Sequence, residues 1–182
     1  ASIPDYGMWG GPLSYYDPQT NAKKAYYRIF GDGSCYTLAQ IENPPCIAVG
    51  TSTQGGSGTQ PKVEQAVLFL WDYAKEQKIW EGTLPRRVTT FNSLLAASDG
   101  KLYGTVIGGG EPAEIFVFDP VSQAFIQRIP IPEGSPLDLG LLEGPDRWIY
   151  GFTRSCLYRL DPSTRKIEIL QHGEFDVAGP WV

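Results

Sequence analysis

The sequence is poor in histidine (one), methionine (one) and cysteine (three), and its 15 Lys and Arg are outnumbered by 20 Asp and Glu. Each shortage excludes something. A net charge of -5, with basic residues no more clustered than pairs such as Lys23-Lys24 and Arg86-Arg87, leaves no footprint for neutralising phosphates, so no nucleic-acid partner is expected. No apolar run approaches the roughly 20 residues of a membrane span, and no basic segment followed by a hydrophobic one opens the chain, so neither a span nor a signal peptide is read. The compartment stays open, a secreted or cell-surface place being favoured. Cys35, Cys46 and Cys156 lack the spacing of a metal site and are odd in number, so they read as small buried thiols. His172 has no second His or Cys to share a metal with, and no nucleophile motif surrounds any serine; no metal and no cofactor are expected, and His172 reads as an exposed turn residue.

What is present is apolar and aromatic: 42% hydrophobic residues, 13% aromatic, with 21 Gly and 15 Pro set between short apolar runs. That is the punctuation of an all-β chain, and 182 residues suffice for one domain or a short array of repeats. Three segments repeat: 37–40 with 46–51, 94–97 with 102–105, and 140–142 with 149–151. Each is an apolar strand, a tight polar turn and a second strand that ends at or just beyond Gly50, Gly104 or Gly151, a hairpin signature. A third strand then closes on Leu70-Trp71-Asp72, Val117-Phe118-Asp119 or Arg159-Leu160-Asp161, and a fourth follows a turn opened by that Asp.

The spacing is regular. From turn Asp to the next of these glycines the intervals are 33, 32 and 32 residues, while from Gly to the next Asp they are 22, 15 and 10. All length variation therefore falls between second and third strands. Tyr6-Gly7 matches Tyr103-Gly104 and Tyr150-Gly151, and Asp17 follows Gly7 by 10 residues. The chain is thus read as opening on a second strand at Tyr6-Gly7, with residues 13–17 as third and 25–29 as fourth. A first strand is due from Phe175 to Val182.

Four strands per unit is the pattern of a propeller blade, and the fold expected is an all-β propeller of about four blades: 35–85, 91–131, 137–171, and one divided between 1–30 and 175–182. The elements Asp99-Gly-Lys-Leu-Tyr-Gly104 and Tyr158-Arg-Leu-Asp-Pro-Ser-Thr164 resemble those of the β-propeller superfamily of streptogramin-lyase-like, NHL-type and quinoprotein-like repeats. The resemblance implies a fold and carries no single activity with it. Two architectures fit it, a ring closed within one chain by pairing of the terminal strands and a part of a larger ring completed by other chains. Tyr6, Tyr103, Tyr150, Trp71 and Phe118, recurring by blade, are assigned to packing between neighbouring sheets.

A site is expected on the face that carries the variable second-to-third loops and the connectors between blades. The glycine-rich loops at 52–65 and 105–113 lack the Gly-Lys-Ser/Thr ending of a phosphate loop and read as flexible surface. Trp9, beside Gly10-Gly11, suits stacking on a flat ligand and equally suits packing between blades. Asp32, Arg86, Arg87, Asn92, Glu133, Asp138 and Glu174 lie on connectors, with Arg154 on the shortest loop. The candidate ligand-binding set is Trp9, Asp32, Arg86, Arg87, Asn92, Asp138 and Arg154. The function expected first is a non-enzymatic module binding a glycan or protein; the alternatives are a carbohydrate lyase or hydrolase with its site at a central channel, and a structural piece of a larger propeller. Self-association, or association with another propeller segment, is a further expectation.

Overall fold

The computed structural model describes residues 4–175, and they contain strands and turns but no helix. β1 (Leu13–Asp17) and β2 (Ala22–Tyr26) form a two-stranded hairpin. Three four-stranded antiparallel meanders follow. The first is β3 (Ser34–Ile41), β4 (Cys46–Ser52), β5 (Leu68–Asp72) and β6 (Gln77–Gly82). The second is β7 (Thr90–Ala96), β8 (Leu102–Ile107), β9 (Glu114–Asp119) and β10 (Ala124–Pro130). The third is β11 (Pro136–Glu143), β12 (Ile149–Thr153), β13 (Cys156–Leu160) and β14 (Ile167–His172). The first two meanders join through the pair Ser52↔Thr90 into one eight-stranded sheet that curls as half a barrel. The described residues form no closed ring of four units.

The same turn recurs in every unit. The Asp that ends the third strand accepts the N–H two residues on: Gln19 to Asp17, Ala74 to Asp72, Val121 to Asp119 and Ser163 to Asp161, at 2.8 to 3.1 Å. Hydroxyls of Thr20, Ser122 and Thr164 cap the second carboxylate oxygen of Asp17, Asp119 and Asp161. Four residues after each Asp the chain turns left-handed, at Asn21, Glu76, Gln123 and Arg165, with φ between 54° and 60°. The β1–β2 hairpin thus carries the same turn as the third-to-fourth hairpin of each meander.

Register defines the faces. Ile47, Leu102 and Ile149 oppose the residue before the turn Asp, namely Trp71, Phe118 and Leu160. Two residues on, Val49 opposes Phe69, Gly104 opposes Phe116 and Gly151 opposes Tyr158. In each meander this face packs backward onto the preceding unit: Val49, Phe69 and Trp71 onto Leu13 and Tyr26; Phe116 and Phe118 onto Ala48, Leu68 and Leu70; Tyr158 and Leu160 onto Tyr103, Ile115 and Val117. Three apolar layers thus stack hairpin, first, second and third meander in chain order.

Several expectations change in detail. Gly50 is not the counterpart of Gly104 and Gly151; Val49 is, which accounts for the one extra residue in the first interval. Tyr6-Gly7 is a turn: Gly7 has φ 73°, its N–H donates to Ser57 O at 2.9 Å, and Met8 N–H donates back to Asp5 O at 3.0 Å. Tyr6 is accordingly 77% exposed, outside the core that holds Tyr103, Trp71 and Phe118. The fourth strand of the first unit is 22–26 instead of 25–29, because Arg28 and Gly31, both at φ 57°, bend the chain away. The first strand expected from Phe175 to Val182 lies, beyond Phe175, outside the described residues. The three thiols are buried and unpaired, Cys35 and Cys46 at opposite ends of the β3–β4 ladder.

Candidate functional site

Loop 53–67 does not stand free. Its residues Gly56 and Ser57 hydrogen-bond the backbone of Met8 and Gly7, so it lies down over segment 5–12. Gly56 is fitted to this crossing, since a Cβ there would collide with the carbonyls of Pro4 and Asp5. The crossing fixes Trp9: its Nε1–H donates to Gln60 O at 3.0 Å, and the Lys62 ammonium lies 3.6 Å over its ring, a cation–π contact.

Beside Trp9 opens a cleft of about 600 Å³, walled by Asp5, Met8, Trp9, Tyr27 and Arg28. Met8 is 57% and Tyr27 72% exposed, with Tyr6 close by on the same segment. Apolar side chains of this size seldom gather in solvent without a reason. Arg28 pairs with Asp32, whose backbone carbonyl also accepts Gly10 N–H at 3.2 Å, so one connector and the N-terminal segment share this corner.

Of the residues singled out from the sequence, Trp9 and Asp32 meet here. The others are distributed. Arg86 is buried, its side chain 2% exposed, donating to Gly108 O at 3.1 Å and Pro112 O at 3.2 Å while facing the carboxylates of Glu114 and Glu111 at 3.3 and 3.7 Å. It anchors the Gly108-Gly109-Gly110 loop. Arg128 closes the same network with two bonds to Glu114, and these, ahead of the opposing effect of burial, hold the Glu114 carboxyl below its ordinary value. Arg87 is exposed and donates to Glu64 O. Asn92 is buried, its amide reaching Pro136 O at 3.5 Å. Asp138 lies on β11. Arg154 is exposed, its backbone held by Ser135 and Phe175. His172 stands 3.1 Å from Glu133 on the third meander.

Tyr27, Arg28 and Lys62 were not among the sequence candidates. A signal for Tyr27 existed: Tyr26 and Tyr27 are adjacent, and side chains that alternate along a strand cannot both enter the core. Tyr26 takes the inner place, 4.8 Å from Trp71.

A second cavity, of about 650 Å³, lies between β1 and the backward face of the first meander, with Tyr15, Leu38, Ile47 and Trp71 on its walls. β1 pairs only with β2 among the described residues. Among the described residues no helix is long and apolar enough to cross a membrane, and no group of three His, Cys, Asp or Glu could hold a metal. No protein-family model matches the chain, and no curated protein matches it in sequence.

Proposed function

We propose that the chain is a binding module of β-propeller type, its meanders acting as blades, and that it seats a protein segment in the cleft at Trp9. The observation that carries the reading is the convergence of Met8, Trp9, Tyr27 and Arg28 on one cleft, residue types that concentrate where proteins meet. The blade reading is supported by the recurrent Asp turn and by the constant face on which each meander packs backward. A binding role is favoured over catalysis because Asp32 is engaged by Arg28 and Arg86 is committed to carbonyls and carboxylates, so neither offers a free acid or base. A glycan is the second reading, favoured by the half-buried Trp9 beside Gly10-Gly11.

Peptide-display selection and a glycan array, each run on the native chain and on a Trp9→Ala/Tyr27→Ala variant, test this. The expected result is a set of peptides whose affinity for the variant falls about tenfold or more, the size of a lost aromatic anchor. Ligands that are glycans alone would move the assignment to the second reading, and ligands indifferent to the substitutions would remove the cleft from consideration. Tyr27 is exposed, so the folded state survives its loss, and a matching urea midpoint verifies that.

A further inference from the structure

The units at the two ends of the stack expose residues whose counterparts at the internal junctions are buried or partly buried. Tyr16 precedes Asp17 as Trp71, Phe118 and Leu160 precede their aspartates; those three are 6%, 0% and 0% exposed against the preceding unit, whereas Tyr16 is 56% exposed. At the other end, Leu142 opposes Tyr150 as Leu95 opposes Tyr103 and Ala39 opposes Ala48. Ala39 and Leu95 pack forward onto the next meander, but Leu142 is 67% exposed. Among the described residues, the hairpin therefore has no unit behind its backward face, and the third meander none ahead of its forward face.

These faces are the two halves of a junction the chain already makes three times. Their chemistry also matches. At the junction of the first and second meanders, Trp80 of β6 packs 4.7 Å from Phe118 and 6.0 Å from Phe125. By register Glu168 of β14 stands where Trp80 stands, paired to Arg159 as Trp80 is to Leu70. Tyr16 and Lys23 stand where Phe118 and Phe125 stand, since Tyr16 opposes Lys23 as Phe118 opposes Phe125. A junction built from the two open faces sets Glu168 against Lys23, an acid against a base where the internal junction has an aromatic pair.

We propose that two copies of this chain join head to tail, the Leu142–Glu168 face of each covering the Tyr16–Lys23 face of the other, so that the pair closes into one ring. The contact is heterologous, continues the internal stacking, and satisfies both open faces of both copies at once. It rests on the meanders being successive blades, and it is independent of what the Trp9 cleft binds.

Light scattering coupled to size exclusion reads the assembly directly. The native chain is expected to elute as a dimer, and Tyr16→Glu and Leu142→Arg separately as monomers with native circular dichroism and cooperative urea unfolding, at a midpoint lowered by the lost association. Because each variant keeps one sound face, an equimolar mixture is expected to form a one-to-one heterodimer through the single native junction. Lys23→Glu or Glu168→Lys alone should weaken dimerisation about tenfold, and the two together in one chain should restore it. A monomeric native chain, variants that remain dimeric, or a mixture that remains monomeric would each overturn the proposal. Failure there with peptide binding at the Trp9 cleft intact would remove the dimer and leave the binding module; the reverse outcome would remove the cleft and leave the dimer.

Discussion

Gly104 stands directly across the β8–β9 ladder from Phe116, whose ring occupies the space a Cβ at Gly104 would fill. Gly151 has the same relation to Tyr158, and the phenol there is buried deeply enough that desolvation raises its pKa. In the first meander the pair is Val49 and Phe69, a larger residue accommodated on the same face. The glycines are thus matched to individual rings, and their φ values require no glycine.

Gly104→Ala should lower stability by about 1–3 kcal/mol, the usual cost of overpacking a full core. The Cβ would also come within 2.6 Å of the Ser93 carbonyl, so the ring cannot absorb the whole clash by moving. Urea unfolding measures the loss, and adding Phe116→Leu is expected to return part of it, since the two changes share a space. An unaltered midpoint in Gly104→Ala would contradict the packing described.

Arg86→Met should cost about 1–3 kcal/mol, because the carbonyls of Gly108 and Pro112 lose their buried donor. Glu114 keeps its two bonds to Arg128, which limits the damage. Hydrogen exchange should quicken within residues 108–112 first. Ligand binding at the Trp9 cleft is expected to be unchanged, a result that separates anchoring the loop from contacting a ligand.

Acid should loosen the Asp turns in a definite window. Hydrogen bonds from the Ser163 and Thr164 side chains, with the Ser163 backbone N–H, pull the Asp161 carboxyl down from 3.8 to about 2, and Thr20 and Gln19 lower Asp17 in the same way. A carboxylate whose folded pKa is depressed contributes its stability in full above the unfolded value and loses it as pH falls through the folded one. Stability should therefore decline from about pH 4 to about pH 2 and be flat with respect to these groups above that. Asp161→Asn, measured by thermal unfolding across pH 2 to 7, should lose stability at neutral pH and show a shallower acid decline; an identical slope would detach Asp161 from the effect.

The strand order was legible in the sequence because each unit carries local marks: a polar turn, an Asp at the third strand's end, and apolar alternation between them. What misled was identity without context. Tyr6-Gly7 matches Tyr103-Gly104 letter for letter, but loop 53–67 lies across it and its backbone is spent on that crossing. Gly50 repeats the glycine letter one position away from the register of Gly104 and Gly151, where the neighbouring Val49 does the packing. The candidate site was half legible. Trp9 and Asp32 were named for their residue type and placement, but whether Arg86 and Asn92 face solvent or interior depends on chain segments 22 and 44 residues away. Tyr27 and Arg28 were hidden by a strand boundary set three residues too late.

The capped turn after Asp17, Asp72, Asp119 and Asp161 has a kinetic consequence. The capping hydrogen bonds and the left-handed residue that shape it lie within five consecutive residues, so its closure entropy is small and a hairpin of this kind can form in microseconds. The pairings between meanders, such as Ser52 with Thr90, span 38 residues and must wait. Four such hairpins, one per unit, would arise independently along the chain as early folding seeds, and assembly of the molecule would then be a matter of docking preformed pieces in order.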